Sequence, residues 1–169
     1  ALAEHDALVD ETLFADDDAG RARLHALRHA IPAGINEQIV RNGMPKVGTD
    51  LAVPDAALAE MMDHYEASPL PHVLFGHIGD SHLHLNLLPR TPDELVQARA
   101  FYDELAKHAI ALGGTVSAEH GIGKLKRQHL AWMVGAEVMA QFRALKRHLD
   151  PADILGRGNV LGDANAQPV

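Results

Sequence analysis

Apolar and polar positions change period several times along this chain, and each change marks an element. Leu2 to Val9 has the spacing of a short helix, and Thr12 to Ala15 reads as a strand. Asp16-Asp17-Asp18 offers capping carboxylates to a helix that begins near Ala19 and carries Leu24, Leu27 and Ile31. Pro32 should interrupt that helix, and Asn42-Gly43 should follow its end. Lys46 to Val53 reads as a strand closed by Pro54. From Asp55 to Ser68, the stripe Leu58, Met61, Met62 and Tyr65 predicts an amphipathic helix that Pro69 and Pro71 stop. Two alternating runs follow, His72-Val-Leu-Phe-Gly-His-Ile-Gly79 and His82-Leu-His-Leu-Asn-Leu-Leu88. Thr91-Pro-Asp-Glu94 is a helix start, and Leu95, Ala98, Phe101, Tyr102, Leu105, Ala109 and Leu112 continue its stripe to Gly113-Gly114. Thr115 to Glu119 reads as a short strand. The remainder is helical, with Leu125 to Val134 first and then Val138, Phe142, Leu145 and Leu149 on a last amphipathic helix.

From Lys46 onward the order is strand, helix, strand, strand, helix, strand. That order predicts an α+β chain: a ferredoxin-like antiparallel sheet with its helices on one face, plus a C-terminal helical segment. The 169 residues fit a single domain, and 47% hydrophobic with 22% charged residues is a globular balance. Aromatics make up only 4%, so the core falls to Leu, Val, Ile, Ala and Met. A net charge of -8 without a basic stripe argues against nucleic acid as a partner. No run is long enough to span a membrane, and no secretory signal opens the chain. With no cysteine, a cytoplasmic location is expected, at most peripheral to the inner membrane. Any metal must be held by imidazole and carboxylate, and there are 12 histidines to draw on.

If Asp80-Ser81 is a two-residue hairpin turn, His77 faces His84 and Phe75 faces Asn86. Leu74, Ile78, Leu83, Leu85 and Leu87 then lie beneath the helices, while His77, His82, His84 and Asn86 occupy the open face. Alternation along Thr115 to Glu119 brings Glu119 to that face as well. The expected metal ligands are therefore His77, His84 and Glu119, three protein ligands with a position left free, as a catalytic site requires. His120 is the expected proton acceptor beside them. The other histidines (His5, His25, His29, His64, His72, His108, His129 and His148) show no such grouping and read as solvated. Lys124, Lys126 and Arg127 read as a helix surface that could also meet an anionic substrate or cofactor. Gly121-Ile-Gly123-Lys124 lacks the spacing of a phosphate loop, and Ser68, Ser81 and Ser117 lack a nucleophile setting. A stand-alone metal hydrolase and a non-catalytic docking module are the alternatives such a face leaves open.

Gly76-His-Ile-Gly-Asp-Ser-His-Leu-His-Leu-Asn86 resembles the G-H-x-G-D-G-N-L-H-x-N signature of FAD-linked oxidases of the vanillyl-alcohol-oxidase type. Ser117-Ala-Glu-His-Gly-Ile-Gly123 is similar to the second signature of their C-terminal domain, and Asp50-Leu-Ala-Val-Pro54 and Asp150-Pro-Ala-Asp-Ile-Leu155 also fit. That domain is shared by glycolate oxidase subunits, D-lactate dehydrogenases and D-2-hydroxyglutarate dehydrogenases. The resemblance implies a substrate-binding cap domain, spanning 1–169, whose FAD is held mainly by a separate FAD-binding domain missing from this chain. It implies oxidation of a small D-2-hydroxy acid, with a divalent ion, zinc or manganese, on His77, His84 and Glu119. His120 would take the proton, and Asn86, Lys46 and Arg28 would bind substrate. The FAD-binding domain, an unidentified electron acceptor and further copies of the chain are the implied partners. Residues that contact the flavin are not identified by either motif. Ser81-His82 stands where the pattern has Gly-Asn, Gly48 where it has a Lys, and Gly156-Arg-Gly-Asn159 where it has Asn-Pro-Gly-Lys.

Overall fold

The computed structural model describes residues 13–162, so the helix expected over residues 2–9 lies outside the described residues. The chain divides into two compact units between Arg41 and Asn42. In the first, residues 13–15 form no strand, and helix α1 runs Asp18–Asn42. Asp17 Oδ1 accepts from the Gly20 amide at 2.6 Å, satisfying one of the free N–H groups of the first turn. Contrary to expectation, Pro32 sits inside α1 without ending it. A proline removes one hydrogen bond from the ladder, and here the turns on either side keep the helix going.

The second unit carries β1 (Val47–Gly48), β2 (Leu51–Ala52), α2 (Leu58–Glu66), β3 (His72–His77), β4 (His82–Leu87), α3 (Pro92–Ala111) and α4 (Arg127–Leu149). Thr91 caps α3 by accepting from the Glu94 amide, as its sequence predicts. β4 is central and pairs antiparallel with β3 on one side and with β1 and β2 on the other. The pairs Val47↔Leu87 and Leu51↔Leu83 share one register, so β1 and β2 are one strand interrupted at Thr49-Asp50. Outside it, Thr115 makes a single bridge to Ala52. The spatial order is that of the ferredoxin-like pattern, and the fold is α+β as expected.

Period-two alternation buries Leu83, Leu85 and Leu87 against Met61 and Tyr65 of α2 and Ala98, Leu105, Ala106 and Ala109 of α3. The hairpin differs from expectation. Its loop is Ile78 to Ser81, so His77 faces His82 and Phe75 faces His84. A two-residue loop needs positive φ at its centre, which Asp-Ser does not favour. The chain instead makes a 3₁₀ turn and then places Ser81 alone in the left-handed region, at φ 48. The slip is two residues, which preserves every side chain's face. Ile78 leaves the core for the loop and is exposed. β3 and β4 approach so closely at Gly76 that a Cβ there would lie 2.4 Å from the His82 carbonyl oxygen.

Two further expectations are corrected. The segment 115–119 forms one bridge rather than a strand, because the Glu119 and His120 amides turn to a side chain, described below. Helix α4 breaks at Gly135, as the two predicted helical stretches require, but Phe142, Leu145 and Leu149 are exposed rather than core. No helix among the described residues is long and apolar enough to cross a membrane.

Candidate metal and substrate site

The site begins with an aspartate in the gap between β1 and β2. Asp50 is buried at 2% exposure, and its carboxylate accepts five hydrogen bonds. Lys126 Nζ donates at 2.6 Å, the Ser117 hydroxyl at 2.9 Å, the His120 and Glu119 amides at 3.0 and 3.1 Å, and His82 Nε2 at 3.1 Å. Burial alone would push this carboxyl up, but Lys126, the His120 amide, Ser117 and the Glu119 amide together hold it well below the usual carboxylate range. Lys126, expected on a helix surface, is thus a buried partner of Asp50. The ionised carboxylate does what a strand ladder would otherwise do: it fixes the backbone of Glu119 and His120.

Thr49 performs the second adjustment. Its hydroxyl accepts from the Leu85 amide at 2.9 Å, taking the place of its own carbonyl in the ladder. The freed Thr49 carbonyl accepts from His84 Nδ1 at 3.1 Å. A carbonyl only accepts, so Nδ1 carries a proton and Nε2 of His84 is turned toward Glu119. Asp50 acts likewise on His82, accepting a hydrogen bond from its Nε2–H and turning Nδ1 toward the Glu119 carboxylate.

Glu119 is where these side chains meet. His77 Nε2 lies 3.2 Å from Oε1 and His84 Nε2 3.5 Å from Oε2. His82 Nδ1 is 3.8 Å from Oε1, and His120 Nε2 3.9 Å from Oε2. The His120 ring stacks on His84 with centroids 4.8 Å apart and planes 6° from parallel. Donor atoms mutually within 4.8 Å come from His84, Glu119 and His120, and from Asp50, His82 and His84. His77 belongs to neither group: it reaches the Glu119 carboxylate, but its ring nitrogens form no such mutual set with His84. The face is not the open one expected: His82, His84 and Asn86 are buried, while Glu119, His77 and His120 remain half exposed.

Along β4, Asn86 Oδ1 accepts from Lys46 Nζ at 2.5 Å, whereas Asn86 Nδ2 is buried without a partner. Arg28 is exposed on α1, in the first compact unit. Sequence reasoning missed Thr49 and Asp50 as site residues. The available signal was a charged residue in the interior of a strand, a position where charge is costly unless it is used.

A model of the family described as FAD linked oxidases, C-terminal domain, matches residues 1–160. The chain belongs to that family. It is 32% identical over 154 residues to a probable mitochondrial D-lactate dehydrogenase of Danio rerio, covering 88% of this chain and 31% of that protein. Against the glycolate oxidase subunit GlcD of Bacillus subtilis (strain 168) it is 31% identical over 166 residues, 95% of this chain and 33% of the relative. Against a D-2-hydroxyglutarate dehydrogenase of Xanthomonas citri pv. viticola it is 35% identical over 162 residues, 90% of this chain and 33% of the relative. The chain thus spans about a third of the length of the curated relatives it matches.

In this FAD-linked oxidase C-terminal domain, the departures from the family pattern have visible consequences. His82, in place of Asn, adds an imidazole whose Nδ1 faces Glu119. At Gly48, in place of Lys, a Cβ would lie only 3.1 Å from Asn86 Oδ1 and 3.9 Å from Lys46 Nζ, so the position is already crowded. The Lys46 ammonium, from just before β1, lies in this neighbourhood and donates to Asn86.

Proposed function

We propose that this chain is the substrate-binding, metal-bearing part of a flavin-dependent oxidoreductase that oxidises a D-2-hydroxy acid to the 2-oxo acid by hydride transfer to FAD. The observation that carries the reading is the Glu119 carboxylate, bracketed by His77 Nε2 on one oxygen and His84 Nε2 on the other. With its Nδ1–H donated to the Thr49 carbonyl, His84 directs its Nε2 at that carboxylate. A carboxylate facing two imidazole nitrogens is a donor set that a divalent ion would stabilise, which supports the reading. His77, His84 and Glu119 would hold it, as zinc or manganese, with positions left for substrate. When bound, the ion would lower the pKa of the substrate hydroxyl, and FAD would accept the hydride.

The chain's own residues divide the remaining work. His120, its backbone pinned by Asp50 and its ring stacked on His84, stands over the site to take the hydroxyl proton. Asn86 keeps a buried amide donor free for a substrate oxygen. Lys46 supplies positive charge beside it, and Arg28 is the second group proposed to hold the substrate carboxylate. The three relatives named above act, by their names, on D-lactate, glycolate and D-2-hydroxyglutarate, which supports the 2-hydroxy-acid class. An FAD-binding domain, in the same protein or complex, completes the enzyme, and its natural electron acceptor lies outside this chain.

Metal analysis of the purified chain tests the reading, with the His77→Ala/His84→Ala double variant beside it. The expected result is one equivalent less of divalent ion in the double variant than in the parent. Equal metal content in the two would overturn the ligand assignment.

A further inference from the structure

We propose a second metal site, on the helical layer, formed by Glu60, His64 and His108. It is independent of the proposed function and lies on the side of the sheet opposite Glu119, since α2 and α3 cover the Leu83-Leu85-Leu87 face. Glu60 and His64 are four apart on α2 and so share one face of that helix. His108 comes from the last turn of α3. One donor atom from each of the three lies within 4.8 Å of the others. The His64 and His108 ring centroids are only 3.5 Å apart.

His108 Nε2 is the telling atom. It is shut off from solvent and makes no hydrogen bond, although Glu60 Oε1 is 3.2 Å away. The oxygen therefore sits off the line along which a ring N–H would point. That is how two ligands stand when both are aimed at a third point, and not how a donor meets an acceptor. A buried, unbonded ring nitrogen costs free energy unless something satisfies it.

Two imidazoles and one carboxylate select a borderline transition ion such as Zn²⁺ over Mg²⁺ or Ca²⁺, which prefer all-oxygen sites. Three protein ligands leave a coordination position for water. Because the ligands come from both helices, the ion would tie α2 to α3 over the apolar core, and it should raise the thermal midpoint of the folded chain. Two other groupings occur among the described histidines expected to be solvated, His129 with Asp103 and His25 with His29, and each is a pair, short of a three-ligand set.

The test uses the 169-residue chain, free of any polyhistidine tag and stripped with a chelator, titrated calorimetrically with Zn²⁺. The His77→Ala/His84→Ala background removes the Glu119 site, so what remains reports on the helices. In that background one equivalent of Zn²⁺ should still bind and raise the melting midpoint. Adding Glu60→Gln, an exposed substitution that the fold tolerates, should weaken binding on the order of a hundredfold, since even outer-shell changes cost ~10–100-fold. His108→Ala should abolish both the binding and the melting shift. Zn²⁺ binding that is unaffected by Glu60→Gln and His108→Ala would overturn the proposal, as would absence of binding in the background. Neither result bears on the Glu119 site, whose failure would show instead as equal metal content in the parent and the His77→Ala/His84→Ala chain.

Discussion

One residue, Asp50, decides whether the candidate site exists as a geometry. Its carboxylate holds the Glu119 and His120 amides, orients His82 and neutralises Lys126, all from a position buried in the middle of a strand. Asn at this position would keep the shape but remove the charge, and its amide group would meet donors where the carboxylate met them as an acceptor. Lys126, 12% exposed, would be left without its counter-ion. Breaking a buried pair from one side costs about 3–5 kcal/mol, so Asp50→Asn should lose most of that in urea denaturation at neutral pH. A loss below about 1 kcal/mol, the value of an exposed pair, would contradict the role assigned to Asp50.

Helix α4 ends on a second aspartate whose pH dependence can be worked out. Asp150 accepts from Lys146, the Leu155 amide and the Ile154 amide, closing the helix and the loop beyond it. Lys146 first, then the Leu155 amide against a small opposing effect of burial, lower its carboxyl from 3.8 to about 2. A carboxyl depressed in the folded state stabilises above its unfolded pKa, and that contribution fades as pH falls. The closing contacts should therefore be intact at pH 5 and above and be lost between about pH 4 and pH 2. Nuclear magnetic resonance titration of Asp150 should place its midpoint near 2. A midpoint near the ordinary 3.8 would show that the cap does not form.

At the scale of elements, what was legible in the sequence is what a two-residue period carries. The faces of Leu83, Leu85 and Leu87 and of His82, His84 and Asn86 follow from alternation alone, and the helix and strand order follows from stripes and prolines. Loop length carries no such signal, so Asp80-Ser81 gave the right faces with partners two residues out of register. The strand expected over 115–119 was not legible as a loop, because what unmakes it is a side chain some seventy residues earlier in the chain. The same holds for Glu60, His64 and His108, which are neighbours only after α2 packs beside α3.

Across the whole molecule, the sheet separates two kinds of chemistry: an apolar face sealed by helices, and a polar face where imidazoles and carboxylates are held by hydrogen bonds. The chain spans about a third of the length of its relatives, and in the proposed function the flavin is held outside it. The account's central claim is nevertheless a property of this chain: that His77, His84 and Glu119 bind one ion. Anomalous diffraction at the zinc edge from crystals grown with Zn²⁺ measures it directly. The account predicts a peak about 2.0–2.2 Å from His77 Nε2, His84 Nε2 and a Glu119 oxygen. A map with no peak among those three side chains would contradict it.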